Sequence, residues 1–275
     1  MAEILDVSPE EYHLRPGLSA SIATVLIERS PRHAKAQHPA YGGKGRAPTK
    51  ATDLGSVVHA IVLGKGKQFA PVPFDDYRTA AARKTRDDMR TEGLVPLLWH
   101  EHDNATVIAE RVREGLAARG IVLDGRSEFA IEWEEPSRNG PVLCRGMMDH
   151  VWLDAGRILD LKIVADASEK AIERSAERFG YAIQATAYQR ALSRLRPALA
   201  GRTEFLFAFC ETEDPYAMNV TTPCGAFREI GERRWRRAVE TWGHCTEHDD
   251  WPDYGLGINY ISPPAWVLAR EEFTE

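Results

Sequence analysis

The chain has no long apolar run. Among its 275 residues, no segment approaches the roughly 18 consecutive apolar residues that a helix needs to span a bilayer. The opening residues, Met-Ala-Glu-Ile-Leu-Asp, also have neither the basic start nor the apolar stretch of a secretory signal. We therefore expect a cytoplasmic protein with no membrane partner.

Cysteine and excess positive charge are also scarce. The four cysteines are far apart and never form Cys-x-x-Cys, so the sequence signals neither a disulfide framework nor an iron–sulfur cluster. The formal net charge is −6, which argues against a general electrostatic DNA binder. A local basic groove can still exist on an acidic chain, so net charge decides little about the partner.

What is present is ample apolar material, 43% of the residues, which suffices for a sizeable core. Up to Gly120 the pattern is helical, with helices predicted over residues 22–27, 53–63, 77–90 and 100–119. Thr52 or Asp53 is the expected cap of the second helix. We expect one integrated domain in two parts, a helical N-terminal section at residues 1–120 and a core at residues 121–275.

After Gly120 the pattern becomes that of strands. Residues 128–134 alternate, residues 136–140 form a turn, and residues 142–153 form a second run, so a hairpin is predicted. Residues 158–164 are nearly all apolar, as in a central strand. Further strands are predicted over 204–210 and 217–221, with helices over 168–179, 181–195 and 225–244. Trp235 and Trp242, seven apart on the last helix, should face the core. The whole predicts an α/β fold with a mixed central sheet flanked by helices.

The strongest candidates for catalytic residues lie between Asp149 and Lys162. Because side chains alternate along a strand, Asp160 and Lys162 project from one face and Leu161 from the other. Asp149 ends the preceding strand, and the tight turn folds it back beside Asp160. Crowded carboxylates repel each other unless a divalent cation neutralises them, and oxygen ligands favour Mg²⁺ or Mn²⁺. The pattern predicts a metal-dependent phosphodiesterase, in which Lys162 orients or helps to deprotonate the attacking water.

Each of these signals also has a plain structural interpretation. Asp-x-Lys arises by chance about once in a chain of this length, and a buried salt bridge between Asp160 and Lys162 stays open. Gln184 and Tyr188, four apart, share one face of a helix that is consistent with an ordinary amphipathic helix. His59, alone on an apolar helix face, is more often a core histidine than a ligand.

The order of these residues is more specific than any one of them. Along the chain follow Gly55-x-x-x-His59, Asp149, Asp160-Leu161-Lys162 and Gly180-Tyr181-x-x-Gln184-x-x-x-Tyr188. This order resembles the PD-(D/E)XK nucleases of the RecB/RecE type, and among them the phage exonucleases related to exonuclease VIII, which share the Leu-Ser-x-Ser segment found at residues 18–21. The resemblance covers about residues 12–209. It departs at Met148, where the name of the motif implies proline.

The resemblance implies a restriction-endonuclease-like core and a set of site residues. The implied metal ligands, for Mg²⁺ or Mn²⁺, are His59, Asp149, Asp160 and the main-chain carbonyl of Leu161. The implied catalytic set is Lys162, as the catalytic lysine, with Asp160 and Asp149, and with Gln184 and Tyr188 of the helix motif that supports the site and contacts DNA. Relatives often carry a further acidic residue on the first strand of the hairpin, where Glu128, Glu132 and Glu134 stay open.

The same resemblance implies an activity and partners. It points to an exodeoxyribonuclease that hydrolyses double-stranded DNA from an end, 5′ to 3′, in phage-type recombination. The implied partners are DNA ends, a single-strand annealing protein and further copies of the chain in a ring, in a bacterium or a phage-infected host. Two alternatives stay open: a structure-selective endonuclease on the same core, and a catalytically silent DNA-binding or assembly module.

Overall fold

The computed structural model describes residues 2–45, 47–255, 257–258 and 260–272. In chain order the elements are β1 (Ala2–Leu5), α1 (Pro9–Leu14), α2 (Ala20–Glu28), α3 (Pro31–Gln37), α4 (Lys50–Leu63), β2 (Phe69–Val72), α5 (Ala80–Thr91), β3 (Val95–Leu98), α6 (Trp99–Ala117), β4 (Arg126–Ser137), β5 (Gly140–Trp152), β6 (Arg157–Val164), α7 (Glu169–Arg178), α8 (Tyr181–Leu195), β7 (Glu204–Glu211), β8 (Met218–Thr221), α9 (Gly225–His248) and α10 (Ala265–Glu272). Short 3₁₀ turns lie at Pro39–Tyr41 and Pro197–Leu199.

The main sheet is mixed. Among the described residues it has six strands, in the order β1, β4, β5, β6, β7, β8. Neighbouring strands run antiparallel except β6 and β7, which are parallel. A parallel pair needs a crossover connection, which α7 and α8 supply here. The predicted α/β fold with a mixed central sheet is therefore confirmed, with the predicted central strand inside the sheet as β6.

Helices cover both faces of this sheet. Residues of α2, α8 and α9 pack on one face, where Trp235 and Trp242 are buried as predicted. Residues of α4 and α6 pack on the other face, against Leu159 and Leu161 of β6. Alternation along β6 therefore turns Asp160 toward the α8 side. In the part of the chain that the structure describes, no helix is long and apolar enough to cross a membrane.

The differences from the sequence-based expectation concentrate in residues 1–120. This section, expected to be helical, also contains β1, β2 and β3: β1 pairs with the edge of β4, and β2 and β3 form a separate parallel pair. Four residues are too few to show alternation, which is why the sequence pattern missed them. The helix expected to be capped by Thr52 or Asp53 begins at Lys50, because the side chain of Thr49 accepts a hydrogen bond from the N–H of Thr52. The boundary near residue 120 stays a prediction.

An ion pair with a buried carboxylate links α8 to strand β4 of the main sheet. Glu135 of β4 is 1% exposed, and its two carboxylate oxygens each accept a hydrogen bond of 2.7 Å from the guanidinium of Arg190. Trp133 donates a further one from Nε1 at 3.0 Å. Burial by itself raises the pKa of Glu135, but Arg190, Trp133 and Arg194 outweigh it, so the pKa lies below its ordinary value.

Glu135→Gln is expected to lower the free energy of unfolding by about 2–3 kcal/mol at pH 7, because it removes the buried carboxylate that Arg190 binds through two hydrogen bonds and leaves the guanidinium, which is 32% exposed, with Glu232 alone. The measurement is urea denaturation of the variant and the wild type. Because folding lowers the pKa of Glu135, its contribution is complete above the ordinary glutamate pKa and is lost as pH falls through the lowered value, so the difference shrinks in acid.

The matched control is Glu204→Gln, which removes one charge from an exposed pair with Arg157. An exposed pair contributes about 0–1 kcal/mol, so this variant should unfold nearly as the wild type does. Equal losses in the two variants would show that the buried pair has no special role.

Candidate active site

The main sheet opens between β5 and β6. The two strands pair only at His150–Leu159, Val151–Ile158 and Trp152–Arg157. Before this stretch β5 is instead bridged by the segment that leads into α2, where Leu18 pairs with Cys144. The opening leaves the side chain of Asp149 and the main chain of Leu161 facing each other without strand pairing.

Asp149 lies at this opening and joins three elements. Its Oδ2 accepts a hydrogen bond from the backbone N–H of Leu161 at 2.7 Å and lies 3.5 Å from Nδ1 of His59 on α4. In an extended strand the N–H and C=O of one residue point to the same side, so the carbonyl of Leu161 also faces β5. The structure therefore brings together His59, Asp149 and the main chain of Leu161.

Glu128 completes an acidic group around Asp149. The hairpin of β4 and β5 keeps one register, with Ser127 opposite His150 and Phe129 opposite Met148, so Glu128 stands opposite Asp149. Strand pairing is interrupted at this position, where Glu128 has a φ of 48°. That is the left-handed region, which costs a non-glycine residue roughly 1–3 kcal/mol, and such strained residues cluster at functional sites.

The ligand atoms of His59, Glu128 and Asp149 all lie within 4.8 Å of one another. Burial, with a further contribution from Asp149, raises the pKa of Glu128 to about 7, and Lys65 opposes the rise. The geometry thus favours Glu128 among the three glutamates that the sequence left open. Glu132 instead pairs with Arg15, and Glu134 is exposed.

Asp160 lies on the α8 side of β6 and is 2% exposed, and its carboxylate is not among the ligand atoms that lie within 4.8 Å of one another. Its Oδ1 accepts a hydrogen bond of 2.5 Å from Nε2 of Gln184, and its Oδ2 lies 2.5 Å from Nζ of Lys162. The second contact is an ion pair, so the ammonium of Lys162 offsets the charge of this buried carboxylate. Burial raises the pKa of Asp160 to about 6, against the opposing charge of Lys162 and with a smaller contribution from Asp149.

Lys162 is held between several polar groups. Burial lowers its pKa, but the carboxylates of Asp160 and Asp149 outweigh burial, so the pKa is raised overall. Its Nζ donates a hydrogen bond to Oε1 of Gln184 at 3.1 Å and lies 4.9 Å from the ring centroid of Tyr181. The salt bridge with Asp160 that the sequence left open therefore exists, but as one contact within a larger polar group.

Gln184 and Tyr188 lie on the face of α8 that points at this group. Gln184 bridges Asp160 and Lys162, and Tyr188 lies one helical turn further along the same face. Tyr188 is 8% exposed, and burial raises its pKa well above the ordinary value. A Cβ at Gly146 would lie 2.9 Å from the Tyr188 ring, so this contact needs glycine.

Two neighbouring cavities open onto these residues. The larger, of about 560 Å³, is lined among others by Lys162, Gln184, Tyr181 and Phe179. The smaller, of about 220 Å³, is lined among others by His59, Glu128 and Asp149. Both share His13, Lys67 and Met147, so together they form one cleft. His13 and Lys67 were not identified from the sequence, because an isolated side chain in a loop or short helix carries no periodic signal.

The sequence matches the model of one protein family over residues 19–264, a family described as a PDDEXK-like domain of unknown function. No curated protein matches the chain. The crystal structure of a candidate exonuclease from Eubacterium rectale is similar to it, with a TM-score of 0.65 and 12% identity, and the similarity covers 97% of this chain and 98% of that chain. A phage-related exonuclease from Haemophilus somnus 129PT gives a TM-score of 0.36 at 12% identity, covering 88% and 99%. The first likeness shows that the fold is shared.

Proposed function

Since this chain belongs to the PDDEXK-like domain family, within the PD-(D/E)XK nuclease superfamily, we propose that it is a divalent-metal-dependent nuclease that hydrolyses phosphodiester bonds of DNA. One observation supports this most strongly. The carboxylates of Glu128 and Asp149 and the imidazole of His59 come within 4.8 Å of one another, and Asp149 accepts a hydrogen bond from Leu161, the β6 residue between Asp160 and Lys162.

The residues fit a hard divalent cation such as Mg²⁺ or Mn²⁺. Carboxylate and carbonyl oxygens are the ligands that these ions prefer, and an imidazole is compatible with Mn²⁺. A Glu128 whose pKa is raised to about 7 beside Asp149, and a buried Asp160 whose pKa is raised to about 6, are what crowded carboxylates without a cation should show. His59, Asp149, Asp160 and the carbonyl of Leu161 would hold the ion, with Glu128 as a further ligand. When bound, a divalent cation lowers the pKa of water and neutralises phosphate charge.

Lys162 supplies the other half of the proposed chemistry. The carboxylates of Asp160 and Asp149 raise its pKa, so without a cation the side chain is an ammonium that can donate hydrogen bonds. From the wall of the cleft it orients the attacking water and offsets the negative charge that develops on the phosphate. Gln184 fixes Lys162 and Asp160 relative to each other through its two hydrogen bonds.

A finer proposal rests on the resemblance to the phage exonucleases. We infer that the substrate is double-stranded DNA, degraded from an end in the 5′ to 3′ direction during phage-type recombination. The proposed partners are a single-strand annealing protein and further copies of the chain in a ring, and the proposed compartment is the cytoplasm. The division into a helical N-terminal section that delivers His59 and a nuclease core belongs to the same proposal.

The test compares linear and closed circular duplex DNA in the presence of Mg²⁺ or Mn²⁺. We expect nucleotides to be released from linear DNA alone, with a 5′-terminal label released before a 3′-terminal one. An enzyme that opens circular DNA would be the endonuclease alternative. A protein that binds both DNAs and releases nothing in either metal would be the silent module, and the nuclease proposal would be wrong.

A further inference from the structure

A ladder of aromatic rings leads from the core to the rim of the cleft. Phe207 of β7 stacks on Tyr181 at a centroid distance of 5.3 Å, and Tyr181 stacks on Phe179 at 6.1 Å, with interplanar angles of 28° and 27°. Phe207 is 3% exposed and Tyr181 is 7% exposed, whereas Phe179 is 45% exposed. The outermost ring is therefore rigidly supported on its inner side and open to solvent.

The backbone holds Phe179 in this position. It lies directly between α7 and α8, followed by Gly180 with a φ of 68°. A Cβ at Gly180 would collide with the side chain of Thr24 on α2, so the connection is packed closely against its neighbour. The backbone at Phe179 is therefore held in place between two helices rather than in a long loop.

The ladder also lies beside the proposed catalytic lysine. Nζ of Lys162 is 4.9 Å from the centroid of Tyr181, the ring on which Phe179 stacks, and all three residues line the cavity of about 560 Å³. Because nucleotides of one strand follow each other every 3.4 Å or so in a duplex, Phe179 is within reach of the first few nucleotides beside a phosphate at Lys162.

We propose that Phe179 is a stacking platform for a nucleobase of the strand being cleaved, an inference that rests on the proposed nuclease function. A base continues the ladder with its π face, and such stacking tolerates any base. The guanidinium of Arg178 now lies 5.3 Å over the Phe179 ring, but this exposed contact is weaker than base stacking. The base displaces it and leaves Arg178 to pair with a neighbouring phosphate. Inside a duplex both faces of a base are covered by its stacked neighbours, so the base that stacks on Phe179 is a terminal one or one that has left the stack.

The experiment removes the Phe179 ring and the stacked DNA base separately and together, so that the interaction between them can be measured. Linear duplexes carry either natural nucleotides or one abasic tetrahydrofuran residue at each of the first few positions from the cleaved end. For wild type, we expect one position at which the missing base lowers kcat/KM by roughly 5- to 150-fold. Phe179→Ala should lose a similar factor on natural DNA, and the abasic residue should then cause no further loss. Phe179→Trp should retain wild-type behaviour.

The control variant is Trp99→Ala, which removes an exposed aromatic ring on α6 outside the cleft and should keep the wild-type sensitivity to the abasic residue. Thermal unfolding checks the fold, and Phe179→Leu replaces Phe179→Ala if the latter is unstable. A Phe179→Ala variant that discriminates against the abasic DNA as the wild type does, or that loses activity equally on all substrates, would overturn the platform.

A failure of the proposed nuclease function can be distinguished from a failure of the stacking platform. If the wild type releases no nucleotide from any duplex in Mg²⁺ or Mn²⁺, that function is wrong. The same DNA series is therefore also measured by fluorescence anisotropy in Ca²⁺, where the platform predicts weaker binding of the abasic duplex by the wild type alone. Equal binding of natural and abasic DNA by the wild type would contradict the platform whatever the nuclease result.

Discussion

Lys162→Ala is expected to slow phosphodiester hydrolysis by at least 10²- to 10³-fold, the usual effect of removing one preorganised donor from a site where negative charge develops. The ammonium is held by Asp160 and Gln184 at the wall of the cleft, and its raised pKa keeps it charged. No other cation shares this position between Asp160 and Gln184 in the part of the chain that the structure describes. The measurement is a single-turnover rate on linear duplex DNA at saturating Mg²⁺.

Stability must be separated from catalysis, because Lys162→Ala leaves Asp160 buried without its counter-charge, and breaking a buried pair can cost about 3–5 kcal/mol. The double variant Asp160→Asn/Lys162→Met removes both charges while nearly keeping side-chain volume, so it should fold and be inactive. Lys170→Ala, on the exposed surface of α7, is the matched control and should turn over as the wild type does. A folded Lys162→Ala protein with near wild-type rates would contradict the role of Lys162.

Asp149→Asn is expected to weaken Mn²⁺ binding and to reduce hydrolysis, each by about 100-fold or more. The amide keeps an oxygen that can accept the N–H of Leu161, so the strand contact survives and the change isolates the negative charge. A hard divalent cation binds a carboxylate far better than an amide, because its attraction is mainly electrostatic. Calorimetric titration with Mn²⁺, together with activity against Mg²⁺ concentration, measures both effects.

His59→Ala should show the milder form of the same defect, a higher Mg²⁺ requirement, because a neutral imidazole is lost rather than a charge. Asp154→Asn, in the exposed turn between β5 and β6, is the matched control and should leave the titration unchanged. Unchanged Mn²⁺ affinity in Asp149→Asn would refute the ligand assignment. Unchanged metal dependence in His59→Ala would make this residue a structural histidine of α4.

The parts of the fold that the sequence predicted are those in which one strong periodicity covers many residues. The apolar run of β6 with two embedded charges predicted a central strand, and α8 spans the predicted residues 181–195. The short strands β1, β2 and β3 were missed, because pairing over four residues depends on distant partners. The bridge from Leu18 to Cys144, which holds the sheet open at the site, is likewise a long-range contact with no local signal.

For Glu128, the hairpin in the sequence carries information that strand alternation does not. Glu128, Glu132 and Glu134 are separated by even numbers of residues, so alternation places them on one face of β4 and cannot distinguish them. The hairpin turn does distinguish them. Because Ser137 lies opposite Gly140 at the turn, counting residues back from the turn along both strands at constant register puts Glu128 opposite Asp149. The pairing of Glu132 with Arg15, in contrast, joins residues 117 positions apart and is visible only in the structure.

The most direct test of the account is anomalous diffraction from a crystal of the protein grown with Mn²⁺. We predict an ion at the opening between β5 and β6, at about 2.0–2.5 Å from ligand atoms of His59, Asp149 and Asp160, with Glu128 beside it. Anomalous peaks confined to other parts of the surface, with these side chains bound to one another rather than to an ion, would contradict it.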